Sequence, residues 1–117
     1  MSRRDILLLE DDQHVRRAMT RLLRREGRDV TACDSVDEAI HTLESDGSFD
    51  LAILDLEVAD ELGLDVADHL DEGTRIVFFT GSVDPSLLGR ARARGAVVRK
   101  DRPEHILAEL ERLPRRA

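Results

Sequence analysis

Four short, unbroken apolar runs set the limits on what this chain can fold into: Ile-Leu-Leu-Leu at 6–9, Leu-Ala-Ile-Leu at 51–54, Ile-Val-Phe-Phe at 76–79 and Ala-Val-Val at 96–98. None alternates apolar with polar residues, so each predicts a strand covered on both faces. A weaker strand pattern spans 29–33. Between the runs the apolar spacing becomes helical: Val15, Ala18 and Leu22 with Met19 and Leu23, then Val36, Ala39, Ile40 and Leu43, then Leu64, Ala67 and Leu70. Two further helices are predicted after Asp84-Pro85 and after Pro103, the last ending near Leu113-Pro114. Punctuation agrees with this periodicity. Ser35 with Glu38 fits a capping box, Asp84 fits an N-cap before a proline at the first helical position, and Gly27, Gly47 and Gly95 suit helix ends.

Five strand and helix units in alternation predict an α/β chain, with a parallel sheet, right-handed crossovers and helices on both faces. An eight-unit barrel does not fit into 117 residues. The expected architecture is a flavodoxin-like, doubly wound five-stranded sheet of order 2-1-3-4-5 with five helices, forming one domain over residues 1–117. In such a sheet the ligand site lies beyond the carboxyl ends of the strands, between the first and the third. At 41% hydrophobic and 37% charged residues the chain is neither membrane-like nor disordered in composition, and it shows no secretory signal, so a soluble, cytoplasmic protein is expected. Cys33 is the only cysteine and reads as a small buried hydrophobe. A net charge of −7 argues against nucleic-acid binding. The arginines at 16, 17, 21, 24 and 25 and at 90, 92 and 94 read first as solvated helical faces, and the four histidines have no ligand-like spacing.

The apolar runs end in polar residues of complementary chemistry. Glu10 and Asp11 follow the first, Asp55 the second, Thr80 the third, and Lys100 comes just past the fourth. Carboxylates gathered in a partly desolvated place repel, so protons or a cation must bridge them, and oxygen ligands with room for water suit Mg²⁺. An ionised Asp is a competent phosphoryl acceptor. A dissociative transfer spreads charge over the equatorial oxygens, which calls for positive and hydrogen-bonding groups more than for a base. Lys100, Thr80, the amide of Gly81 and the metal ion would supply them. Taken alone, the acidic run at 10–12 suits an ordinary helix start; its alignment with Asp55 argues for a site.

These residues resemble the receiver domain of two-component response regulators, through Ile-Leu-Leu-Leu-Glu-Asp-Asp at 6–12, Phe-Asp-Leu-Ala-Ile-Leu-Asp-Leu at 49–56, Gly63, Phe-Thr-Gly at 79–81 and Lys100. The resemblance implies that Asp55 is the phosphoacceptor. It makes Asp11 a direct Mg²⁺ ligand, Glu10 its partner, commonly through water, and adds the backbone carbonyl of Glu57 to the metal shell. Thr80 and Lys100 would bind the phosphoryl oxygens. The implied donor is a phosphohistidine on a sensor histidine kinase or phosphotransfer protein, and output would pass by protein contacts to an unidentified downstream protein or a second copy. Such a domain catalyses only its own phosphorylation and dephosphorylation.

Several positions depart from that pattern. Ala59 stands where a proline is common, which predicts a looser loop up to Gly63. Asp101 follows Lys100 in place of a proline, often cis in the family. Val97 occupies the position of an aromatic switch, so coupling to the face of the fourth helix, fifth strand and fifth helix should be altered or weak. Glu57 and Ser82 flank the route of an attacking water, where the family tunes loss of the phosphoryl group. Two other readings are a receiver-like interaction module that works without phosphorylation and a Mg²⁺-dependent phosphohydrolase built on Asp55-Leu56-Glu57. The hydrolase reading lacks the usual motif order and a cap. The short tail after Pro114 holds no output domain, so either a single-domain regulator or a fragment of a longer one is expected.

Overall fold

The computed structural model describes residues 3–114. Along the chain run β1 (Arg4–Leu9), α1 (Gln13–Arg25), β2 (Val30–Cys33), α2 (Val36–Asp46), β3 (Phe49–Leu54) and a hairpin of β4 (Glu57–Val58) with β5 (Glu61–Leu62). There follow α3 (Leu64–Ala67), β6 (Arg75–Thr80), α4 (Pro85–Arg92), β7 (Ala96–Arg99), a 3-10 turn at Pro103–His105 and α5 (Ile106–Leu110). The main sheet has the order β2-β1-β3-β6-β7, and every neighbouring pair in it is parallel. With the hairpin set aside, this is the expected doubly wound order and the flavodoxin-like fold.

The apolar runs form the middle of the sheet because both faces there are covered. All six residues of β3 and five of the six in β1 are buried. Strand alternation sorts them into two cores. Leu7, Leu9, Ala52, Leu54 and Phe78 meet α2, α3 and α4 on one face, while Ile6, Leu8, Leu51, Ile53 and Val77 meet α1 and α5 on the other. Each such aliphatic side chain contributes roughly 1.5–3 kcal/mol by burial. A polar substitution within the apolar runs 6–9 or 51–54 would therefore break one core whichever way it pointed.

Most helix boundaries follow the sequence signals. Asp12 caps α1 by accepting from the N–H of His14 at 2.9 Å and of Val15 at 3.1 Å. Ser35 accepts from the Glu38 N–H at 3.1 Å, and Asp84 caps α4 with Pro85 behind it. Gly27 and Gly47 end the first two helices as expected. Gly95 has another reason to be glycine: a Cβ there would stand 2.3 Å from the Ile76 carbonyl oxygen, so β7 could not come alongside β6.

Two helices are shorter than their periodicity predicted. After Ala67 the chain tightens, with His69 N–H bonding the Val66 carbonyl and Leu70 N–H the Ala67 carbonyl. Leu64, Ala67 and Leu70 are spaced by three, a pattern that a 3-10 turn aligns as well as an α-helix does. The last helix ends at Leu110, and Arg112 and Leu113 bond three residues back instead of four. Among the described residues no helix is long and apolar enough to cross a membrane.

Candidate functional site

Strand register places the polar residues side by side. Leu9 is the partner of Leu54 in the β1–β3 ladder, so the residues that follow, Glu10 and Asp55, leave the sheet together. Backbone bonds extend the ladder past its ends: Asp55 N–H donates to the Leu9 carbonyl at 3.1 Å, and Glu10 N–H to the Cys33 carbonyl at 3.0 Å. On the next strands Thr80 pairs with Arg99, and the Lys100 N–H donates to the Thr80 carbonyl at 3.1 Å. Apolar strand cores thus deliver Glu10, Asp55, Thr80 and Lys100 to one edge.

The site is centred on the Lys100 ammonium. Its Nζ lies 2.7 Å from Asp55 Oδ2, 2.9 Å from Glu10 Oε1 and 3.1 Å from Glu10 Oε2. Glu10, Asp55 and Thr80 are 1%, 4% and 1% exposed, whereas Asp11 is open to solvent. Carboxylate oxygens of Glu10, Asp11 and Asp55 all lie within 4.8 Å of one another. Burial pushes the Glu10 carboxyl above its ordinary pKa, against the Lys100 hydrogen bond and with help from the Asp55 charge. Burial also pulls on Lys100 in the opposite sense, but its hydrogen bonds and charge contacts with Asp55 and Glu10 outweigh that, and its pKa is raised. The ammonium therefore stays protonated at neutral pH.

One ammonium cannot balance three carboxylates. Glu10 Oε1 is buried without a hydrogen-bond partner: the nearby Lys100 Nζ lends it charge at 2.9 Å, while the hydrogen bonds of that Nζ go to Glu10 Oε2 and Asp55 Oδ2. An orphaned buried oxygen beside an exposed carboxylate and a half-neutralised one is a donor set suited to a hard divalent cation that keeps some of its water. The residues present fit such an ion.

The third acidic residue of the run has a different task. Asp12 turns away to cap α1, so only Glu10 and Asp11 of that run face the site. Asp11 Oδ2 accepts from the Ala59 N–H at 3.1 Å. The loop after Asp55, expected to be slack without a proline, is instead a paired hairpin with Glu57 opposite Leu62 and Val58 opposite Glu61. Its turn holds Ala59 at φ +54°, a backbone setting closed to proline, and proline would also lack the N–H that Asp11 receives. The hairpin folds back so closely that a Cβ on Gly63 would lie 1.7 Å from the Asp55 carbonyl oxygen. Glu57 is exposed at its start, and its N–H points to Asp55 Oδ1 at 3.4 Å.

Thr80 Oγ1 accepts from the Ser82 N–H at 3.0 Å, which leaves its proton free to donate. Val97 is partly buried against the core under α4. Cys33 is buried beside Thr42, and desolvation pushes its thiol up to about 11, so it stays protonated and inert. Sequence reasoning missed Arg16, whose Nη1 donates to the Glu10 carbonyl at 3.0 Å and the Asp11 carbonyl at 3.4 Å. Only its place in the first turn of α1, just after the acidic run, could have signalled this. It also missed the Ala59 amide, for which alanine carries no signal.

A family model described as the response regulator receiver domain matches residues 6–111. Among solved structures the chain is similar to a response regulator receiver domain protein from Methanospirillum hungatei, with a TM-score of 0.82 at 22% identity over 94% of this chain and 92% of that one. It is similar to the N-terminal domain of a response regulator/sensory box/GGDEF protein from Carboxydothermus hydrogenoformans, with a TM-score of 0.79 at 21% identity over 92% and 91%. A response regulator protein from Burkholderia pseudomallei, solved with a phosphorylated aspartic acid, calcium ion and citrate, gives a TM-score of 0.72 at 22% identity over 93% and 75%. At these identities the structural likeness speaks for the fold. A search of the curated proteins found no match.

Proposed function

The chain belongs to the response regulator receiver domain family, and from that premise we propose that it takes a phosphoryl group from a phosphohistidine donor onto Asp55 and passes the signal on through protein contacts. The observation that carries this reading is the unbalanced cluster itself: Asp55 buried beside Glu10 and Asp11, with a single ammonium from Lys100 among three carboxylates. Receiver domains bind a divalent metal at such an acidic pocket. Here Glu10, Asp11, Asp55 and the Glu57 carbonyl would hold Mg²⁺, which when bound stabilises charge on the phosphoryl oxygens.

The chain's own groups account for the remaining steps. A carboxylate oxygen of Asp55 attacks phosphorus, the P–N bond to the donor imidazole breaks, and the imidazole leaves with the bonding pair, taking up a proton from solvent. In the resting site Lys100 neutralises Asp55; during transfer its ammonium shifts to a phosphoryl oxygen, and the free proton of the Thr80 hydroxyl donates to another. Asp55 and Lys100 thus need no general base between them. The reaction is the domain's own modification and not turnover of a small substrate. We place it in the cytoplasm, with a sensor kinase or phosphotransfer protein as donor, and with a downstream protein or a second copy as receiver of the signal.

Intact-mass measurement after incubation with Mg²⁺ and acetyl phosphate tests this. The wild type should gain one base-labile phosphate, and Asp55→Asn or a sample treated with chelator should gain none. An unmodified wild type would support an interaction module that works without phosphorylation, and sustained release of phosphate from phosphomonoesters would support a hydrolase.

A further inference from the structure

The last residue of β7 has no part in the chemistry so far. Arg99 stands opposite Thr80 in the β6–β7 ladder and is partly buried. Its Nη1 donates to the backbone carbonyl of Ser82. Ser82 is itself only 9% exposed, and its other polar groups are also engaged. Its N–H donates to Thr80 Oγ1 at 3.0 Å, and its hydroxyl accepts from the Asp84 N–H at 3.3 Å. Asp84 in turn caps α4 through the N–H groups of Ser86 at 3.0 Å and Leu87 at 3.3 Å. One loop residue is therefore tied to the strand end that carries Thr80, to the edge strand and to the first turn of α4.

A hydroxyl has one proton and two lone pairs, so Thr80 can donate to a phosphoryl oxygen while it still accepts from Ser82. Movement of Thr80 toward that oxygen then draws the Ser82 N–H with it. The carbonyl of the same residue is held by the Arg99 guanidinium. Arg99 follows Val97 by two positions and so lies on the same side of the strand. Val97 packs against the core beneath α4 and has no polar group to offer.

We propose that Arg99 is a positioning residue that sets the Ser82 loop, and through it the Thr80 hydroxyl, and that it links displacement of Thr80 to α4 and β7. The inference rests on Asp55 being the phosphoacceptor. It gives the altered coupling expected from Val97 a physical route: a charged hydrogen bond to the loop instead of a swinging ring.

The test is amide NMR of the full chain in Mg²⁺, with and without beryllofluoride as the phosphoryl mimic. In the wild type, Thr80, Gly81 and Ser82 should shift, together with Ser86, Leu87, Leu88 and the Arg99 Nε–H. Arg99→Met keeps the aliphatic stem but not the bond; shifts at Thr80 and Gly81 should persist while those at Ser86 to Leu88 fall by about threefold or more, as for a lost charge-assisted hydrogen bond. Arg99→Lys, which keeps the charge and a donor, should restore part of the spread, an outcome that a purely packing role would not produce. Equal spread in Arg99→Met and wild type, or a stationary Arg99 Nε–H in the wild type, would overturn the proposal. If no wild-type resonance moves at all, the phosphoacceptor reading itself fails and this inference falls with it. That outcome is distinct because Thr80 and Gly81 are then silent too.

Discussion

Both ends of the central sheet bury carboxylates beside cations, but only one end saturates them. At the amino ends of the strands, Asp5 accepts from Arg28 Nη1 at 3.3 Å and from the Asp29 N–H at 3.0 Å. The same guanidinium donates to the carbonyls of Leu110 at 3.2 Å and Pro114 at 3.0 Å, so it fastens β1 and α1 to the end of α5. Nearby, Arg3 meets Asp50 at 3.1 Å and Asp71 at 3.0 Å. Asp71 also accepts from the Ser48 hydroxyl, the Gly73 N–H and the Thr74 hydroxyl. The Arg3 hydrogen bond, followed by that of Ser48, holds the Asp71 carboxyl well below the usual carboxylate range. At the carboxyl ends three carboxylates lie together, Lys100 pairs with only two of them, Glu10 and Asp55, and Glu10 Oε1 has no hydrogen bond. Among the described residues the amino-end carboxylates leave no buried oxygen without a hydrogen bond, whereas at the carboxyl end Glu10 Oε1 is such an atom.

Four changes would break or sharpen that contrast. Lys100→Met removes the cation from the open end and should slow phosphate uptake from acetyl phosphate by roughly a hundredfold, read by intact mass over time. Uptake at the wild-type rate would mean that the ammonium does not serve the transferred group. Arg28→Met should do the reverse. Denaturant unfolding should show a loss of about 3 kcal/mol, because the buried Asp5 loses the cation it pairs with, while phosphate uptake stays unchanged.

Glu10→Gln should expose the strain of the open end. A carboxyl whose native pKa is raised favours the protonated fold, so its contribution to stability declines as pH climbs above the ordinary value of 4.5 and is unfavourable at pH 7. In Mg²⁺-free buffer the variant should be as stable as wild type or up to about 1 kcal/mol more stable, and saturating Mg²⁺ should stabilise it less than wild type. Equal metal-induced shifts in Tm would remove Glu10 from the metal shell. The smallest effect belongs to Asp71→Asn. A depressed native pKa adds stability above the unfolded value of 3.8 that fades as pH falls below it. With 43% of the side chain exposed, solvent screening keeps the loss below about 1 kcal/mol at pH 7, and variant and wild type should converge in acid.

The central strands were legible because burial on both faces demands unbroken apolar runs, and 6–9 and 51–54 are such runs. Glu10, Asp11, Asp55 and Lys100 were legible for a related reason: in a parallel sheet of known order, residues that end adjacent strands must meet. The structure brings these four together as expected. Helix lengths were less legible, since apolar spacing by three at 64, 67 and 70 suits two helix types equally. Nothing in the sequence marked Ala59 as the donor to Asp11, because alanine at positive φ has no local signature. Nothing in the sequence tied Arg99 to Ser82 either.

By itself the sequence determined the class of fold and the ends at which chemistry gathers, because both follow from local patterns repeated along the chain. Tertiary structure decided which charges are quenched and which stay open. Arg28 reaches Asp5 across 23 positions, Arg99 reaches Ser82 across 17, and Lys100 reaches Glu10 across 90. Whether a carboxylate holds the fold or waits for a ligand depends on such distant donors, and no local pattern records their arrival.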